Sequence, residues 1–314
     1  MPVSLAQAKL NAANDIDYNI IDEFRKSSWL FDNITFDDVV NPAGGGATLT
    51  YGYERVVTEG TAAFRAINAE YTPAEATKEQ ITVDLKPFGG SYQIDRVLGA
   101  IARGREIVFQ NQQKVKAARA KFNDAILNGD SGSDANSFDG LDPALTGSDT
   151  EDTTGRDWQT IDEAGAFEVM DDIDSLLALL DGDASAIIAN RKALAKIRSA
   201  ARRAGYFTRS ENSFGSPVEL YNGVALIDPG KKPGSSTDVL PVTAGLTDVY
   251  AVRLGLDGVH AISLAGQTPV RAWLPDFSTA GAVKTGEVEM VAALALKATR
   301  AAAVLRDVQV EAAS

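Results

Sequence analysis

Four aspartates, Asp130, Asp134, Asp139 and Asp142, fall in one short stretch that begins at Asn128. Closely spaced carboxylate oxygens are the ligands of hard cations such as calcium. The spacing is not that of an EF-hand, because counting from Asp130 the third place holds Gly132 and the twelfth is not a glutamate. An Asp/Ser/Gly stretch is the ordinary composition of turns whose carboxylates accept from nearby backbone N–H groups, so a turn is expected and no metal. His260, the single histidine, has no Gly-x-Ser-x-Gly nucleophile turn to serve and is expected to be structural. Glu287 and Glu289, two apart, share one face of a strand and could pair as acid and base. Solvation or salt bridges are the commoner use of such a pair. The glycines Gly44, Gly45 and Gly46 are followed by no Gly-Lys-Ser/Thr and form no phosphate loop. No catalytic residue, cofactor or metal is assigned.

Composition excludes other chemistry. The chain has 314 residues, 45% hydrophobic and 23% charged, the profile of a folded protein with room for two cores. The absence of cysteine removes thiol nucleophiles, thiolate metal sites and disulfides together, and fits a reducing cytoplasm. A net charge of −13 opposes tight binding to a phosphate backbone. The densest basic patch, Arg191, Lys192, Lys196, Arg198, Arg202 and Arg203, has no interleaved aromatic on which a base could stack. A neighbouring helix is acidic through Asp162, Glu163, Glu168, Asp171, Asp172, Asp174, Asp181 and Asp183, so complementary charge within the domain or across a subunit boundary is the better account. Acidic Asp15, Asp17, Asp22 and Glu23 stand where a signal peptide would be basic and apolar, and the apolar run Met290 to Leu296 is too short to cross a bilayer. No secretion signal or membrane span is read.

The elements that position these residues follow from periodicity. Ser4 and Gln7 form a capping box for a helix in an N-terminal arm, 1–47, that the flexible run Asn41 to Ala47 isolates from the rest. Residues 48–90 read as a two-stranded excursion, with extended pieces at Ala47–Val57, Ala62–Ala69 and Gln80–Leu85 and too little apolar surface to hold it down. From Gln93 to Asn128, Ile94, Val97, Leu98, Ile101, Val108, Val115, Ala118, Phe122 and Ile126 recur at helical spacing, predicting a rod about 50 Å long that Gly104 interrupts without ending. Thr160 with Glu163 predicts a capping box for a helix with Phe167, Met170, Ile173, Leu176, Leu177 and Leu180 inward. Ala186–Ala189 reads as a buried strand, Asn190 caps the basic helix, and Asn222-Gly223 predicts a tight hairpin. Further strands are expected at 248–253, 258–263 and 270–273. The alanine-rich segment 283–308 favours helix by propensity and strand by its alternation Val288, Met290, Ala292, Leu294, Leu296. Strands with a turn near Thr299-Arg300 are expected.

In this order, the arm, the excursion, the long helix ending Asn128-Gly129-Asp130 with Phe138-Asp139-Gly140-Leu141 after it, the α/β insertion and the Gly286-Glu287-Val288-Glu289 to Val304-Leu305-Arg306 tail resemble the major capsid protein of tailed bacteriophages, the Hong Kong ninety-seven fold, seen also in encapsulin shells. The resemblance covers essentially the whole chain. It implies an α+β fold with an N-terminal arm (1–47), an extended hairpin loop (48–90), a peripheral domain with the spine helix (91–158 and 270–314) and an axial domain (159–269). It implies a non-enzymatic shell subunit that assembles with itself into hexamers and pentamers around packaged double-stranded DNA in a virion made in the bacterial cytoplasm. A separate scaffolding protein, a portal and a decoration protein are the further partners implied. Arm and loop would then lie on neighbouring subunits, making Trp29, Phe31, Phe36, Tyr51, Tyr53, Phe64 and Tyr71 the expected interface anchors. The alternative in the same fold is an encapsulin compartment, and the alternative outside it is a carboxylate hydrolase.

Overall fold

A computed structural model describes residues 29–41, 48–101, 105–204, 208–211 and 217–312, with the backbone only at 208–211 and 217–219. The Ser4 capping box, the run from Pro42 to Ala47 and Gly104 lie outside the described residues.

Two sheets organise the chain. The first is built along the strand Val283–Leu296, which pairs antiparallel with Lys86–Asp95 on one side and with Val270–Trp273 and Val259–Leu264 on the other. Phe36–Val40 extends this sheet as a parallel neighbour of Val259–Leu264. In the second sheet Ala302–Gln309 lies between Leu246–Val252 and the short strands Glu151–Asp152 and Arg156–Asp157, and the order continues through Ala186–Ala189, Val224–Ile227, Pro217–Tyr221 and Thr208–Glu211. A 3₁₀ turn at Thr299–Ala301 carries the chain from the first sheet into the second. The alanine-rich tail is therefore strand, turn, strand as expected: small side chains let it pack between neighbours on both faces, and this overrides its helix propensity.

Side-chain alternation along the central strands of the second sheet sorts them between two cores. Ile187, Ala189, Val249, Ala251, Ala303 and Leu305 share a core with the helices Glu163–Ala178 and Arg191–Ala204. Ala186, Ile188, Tyr250, Val252, Ala302 and Val304 share the other with the end of the spine helix and with Leu141 and Leu145. Sheet membership cuts across the boundaries expected at 159 and 269, since 259–264 belongs to the first sheet while 151–157 and 302–309 belong to the second.

Several expectations are corrected. Gln93 to Asp95 are not helical: they end the strand Lys86–Asp95, and Ile94 is buried there. Helix begins at Arg96, where the Asp95 carboxylate accepts from the Val97 N–H at 2.8 Å. The spine helix is described as Arg96–Ile101 and Arg105–Asn128, the latter 24 residues or about 36 Å. Its apolar face is buried only toward the C-terminal end, from Ala118 to Leu127, whereas Val97, Ile101 and Val108 are exposed. Ala62–Ala69 forms no strand, having no partner to pair with. The acidic helix is capped by Asp162, which accepts from the Gly165 N–H at 2.8 Å, rather than by Thr160. Its buried stripe is Ala166, Val169, Ile173 and Leu176, and Phe167 points outward. The turn Asn222-Gly223 forms as expected, with φ of 47° and 85°.

Candidate subunit interface

The hairpin Thr50–Thr58/Thr77–Asp84 leaves the body part-way along its length. Tyr51 pairs with Val83, Tyr53 with Ile81 and Arg55 with Glu79. Tyr51, Tyr53, Arg55, Ile81 and Val83 are partly buried while the residues between them are exposed; from Val56 outward every residue to Gln80 is exposed. The base is pinned by three bonds to the end of the first sheet's long strand. Tyr53 Oη donates to the Leu296 carbonyl at 2.8 Å, and Arg55 donates to the Leu296 and Lys297 carbonyls at 2.5 and 3.0 Å. Burial raises the Tyr53 phenol pKa against the opposing pull of Arg55, so Tyr53 keeps the proton it donates.

The tip is shaped but not packed. Arg65 donates to the Ala66 and Ala69 carbonyls at 3.3 and 3.2 Å and lies over the Tyr71 ring at 5.3 Å. The Ala69 N–H closes a turn on Ala66, with Asn68 at φ 65°. This turn holds out Phe64, fully exposed, with Ile67 at 90% and Tyr71 at 63% exposure. An isolated two-stranded ribbon is marginal in water, and one that ends in bare apolar side chains is built to be covered.

The arm residues have a different setting. Phe31 and Phe36 meet Phe122 of the spine helix with ring centroids 5.9 and 5.6 Å away, Phe88 and Phe138 stand 6.2 Å from the same ring, and Arg119 lies 4.7 Å over Phe31. Trp29 packs against the same core. Three of the seven expected anchors, Trp29, Phe31 and Phe36, are thus engaged by their own chain. Tyr51 and Tyr53 sit at the hairpin base, and Phe64 and Tyr71 project. Sequence reasoning missed Ile67, Val56 and Val57, exposed on the hairpin, whose signal was the apolar run in an otherwise charged excursion.

The aspartates weighed for a metal are spent structurally. Asp130 accepts from the Gly132 N–H at 2.8 Å and from Ser133 Oγ, Asp134 from the Asn136 N–H at 2.9 Å, and Asp139 from the Ser131 N–H at 2.7 Å. These are the expected turns, and the Ser133 and Gly132 bonds hold the Asp130 carboxyl below the usual range. Among the described residues no three His, Asp or Glu side chains are grouped to hold a metal. Asp142 belongs elsewhere, to a hub around Arg306, whose guanidinium also donates to Glu151 at 2.8 Å, Asp248 at 2.9 Å and Tyr250 Oη at 3.2 Å. Glu289 pairs with Arg271 at 3.4 Å. His260 is fully buried, edge-on to Tyr51 at 6.2 Å, with its Nε2 4.0 Å from the Asp37 carboxylate; burial, then Lys297, lower its pKa. No helix among the described residues is long and apolar enough to cross a membrane.

No family model and no curated protein matches the sequence. Solved structures do match in three dimensions. A holo-SrpI encapsulin complex from Synechococcus elongatus PCC 7942 superposes with a TM-score of 0.66 at 17% identity, over 99% of this chain and 97% of the other. The capsid of a native GTA particle gives 0.61 at 11% identity, over 94% and 95%. The capsid of the Myoviridae phage XM1 gives 0.56 at 14% identity, over 97% and 99%.

Proposed function

We propose, for a chain that has the Hong Kong ninety-seven fold, that it is the major capsid protein of a tailed phage: a non-enzymatic subunit that assembles with itself, as hexamers and pentamers, into an icosahedral head around double-stranded DNA. The observation that carries the reading is the projecting hairpin, pinned at Tyr53 and Arg55 and exposing Phe64, Ile67 and Tyr71 at its tip. Such an element gains stability only on another molecule, and repeating that contact around a closed symmetry supplies a shell's cohesion. The negative charge suits a lining that holds DNA without binding its sequence. A scaffolding protein, a portal and a decoration protein would complete the head, assembled in the host cytoplasm.

A second reading, an encapsulin compartment, is favoured by the superposition on the Synechococcus elongatus complex over nearly the whole of both chains. Electron microscopy of the expressed protein, followed by analysis of what the particles hold, tests both. Hollow shells that take up DNA with the phage packaging proteins support the head; shells that retain a protein cargo support the compartment. A protein that stays monomeric at every concentration refutes both.

A further inference from the structure

The outward faces of the two helices on the second sheet carry opposite charge that the chain leaves unspent. On helix Glu163–Ala178, Asp171 is exposed, and on helix Arg191–Ala204 the last turn exposes Arg202 and Arg203. The helices share one core through Ala166, Val169, Ile173, Leu194 and Ile197. Other charges on them are used within the chain: Asp172 pairs with Arg156 at 2.8 Å, Arg191 with Asp228 at 3.8 Å and Lys192 with Glu311 at 2.5 Å. Asp171, Arg202 and Arg203 have no ion-pair partner among the described residues.

Asp171 stands at a cleft of about 610 Å³ that is also lined by Phe167, Met170, Asp174 and Tyr221. Phe167 is the aromatic whose periodicity predicted burial, and it is 52% exposed. Tyr221 Oη donates to Asp174 at 2.9 Å and fixes that carboxylate in the wall. Burial, then Asp174 and Asp171, raise the Tyr221 phenol pKa, which reports the negative potential inside. Apolar and aromatic walls with two carboxylates are complementary to an arginine, whose stem packs on rings and whose planar head takes a carboxylate in a bidentate pair.

We propose that the Arg202–Arg203 end of one copy's basic helix seats in this acidic cleft of the next copy. The two surfaces are different patches of the chain, so the contact is head-to-tail, the kind that builds a ring when the rotation between copies closes. The inference rests on the shell reading and names the surfaces that would join neighbours within a hexamer or pentamer.

Charge reversal tests it. Asp171→Arg and Arg203→Asp should each cut the yield of rings and shells by about 30-fold or more, and the double variant should recover most of it, because the swapped charges attract again. Melting curves of the variants verify folding; should a reversal fail to fold, Asp171→Asn and Arg203→Gln read the same loss at these exposed positions. Wild-type shells together with single variants that assemble normally, or a double variant no better than its worse parent, overturn this contact and leave the shell reading standing. A wild type that forms neither rings nor shells overturns both.

Discussion

Replacing Phe64, Ile67 and Tyr71 by alanine should separate assembly from folding. The three side chains are exposed in the single chain, so their removal should change monomer stability by no more than about 0.5 kcal/mol each. Across an interface each is worth about 1.5–3 kcal/mol if fully covered. Every subunit of a closed shell gives one hairpin and receives one, so losing about 2 kcal/mol from Phe64→Ala alone should raise the concentration at which particles form about 30-fold, at 1.4 kcal/mol per decade. The triple variant, losing about 4.5–9 kcal/mol if all three are fully covered, should give no particles at any practical concentration. Light scattering across a concentration series, with urea unfolding of the unassembled protein alongside, reads both quantities. A triple variant that assembles at the wild-type concentration would refute the assignment of the tip to the interface. Loss of more than about 2 kcal/mol of monomer stability would show instead that the tip packs on its own chain.

Three further outcomes concern the body. Arg306→Met removes the cation from three carboxylates, of which Glu151 is nearly buried and Asp142 and Asp248 partly wet; a loss of about 2–3 kcal/mol in urea unfolding is expected, below the usual cost of breaking a fully buried pair, and partial recovery on adding Glu151→Gln. Gly89→Ala puts a methyl 2.0 Å from the Val288 carbonyl oxygen and 2.9 Å from the Glu289 Cα, backbone atoms that cannot swing aside, so soluble yield should collapse or stability fall by about 3 kcal/mol or more. His260, with its folded-state pKa below the ordinary 6.5, takes up a proton more readily when unfolded. Stability should therefore fall as pH drops below about 6.5 toward the folded value. His260→Phe should flatten that slope in denaturation series at pH 7 and pH 5, and an unchanged slope would sink the argument.

How far the sequence announced this fold depends on whether a signal was local. Asn222-Gly223 and the cap at Asn190, which accepts from the Lys192 N–H at 2.9 Å, are local chemistry and were readable. The Asx turns after Asn128 were too. The spine helix was legible as a periodicity, but its start was not, because Gln93 to Asp95 keep helical spacing while the distant partners Val283 to Thr285 make them strand. The same tertiary override hid Phe36–Val40, whose pairing with Val259–Leu264 spans more than two hundred residues and draws part of an arm that looked unattached into the first sheet. Arg306 gave no sign of its role, since Asp142, Glu151 and Asp248 all lie far from it in the chain. At the candidate interface the hairpin's inability to bury itself was visible in composition; which rings it leaves bare was not, because that depends on where the ribbon lifts off at Val56.

That lift-off point ties the fold to the proposed function. Tyr53 and Arg55 bond to Leu296 and Lys297, where the long strand of the first sheet ends and the turn into the second begins. Within a few residues of that junction Arg253 donates from its N–H to Ala301, and Lys297 to Gly258, so both sheets are backbone-bonded around it. A pull on the hairpin tip is therefore delivered to a rigid corner of the molecule and not to a mobile loop. Because the base is stiff, the position of Phe64 is set by the body, and a neighbour that holds the tip also fixes the angle between the two bodies. Curvature in a shell requires that angle to be reproducible from copy to copy, which is a reason for a projecting ribbon to be pinned to the body by three hydrogen bonds at its root while its tip stays exposed.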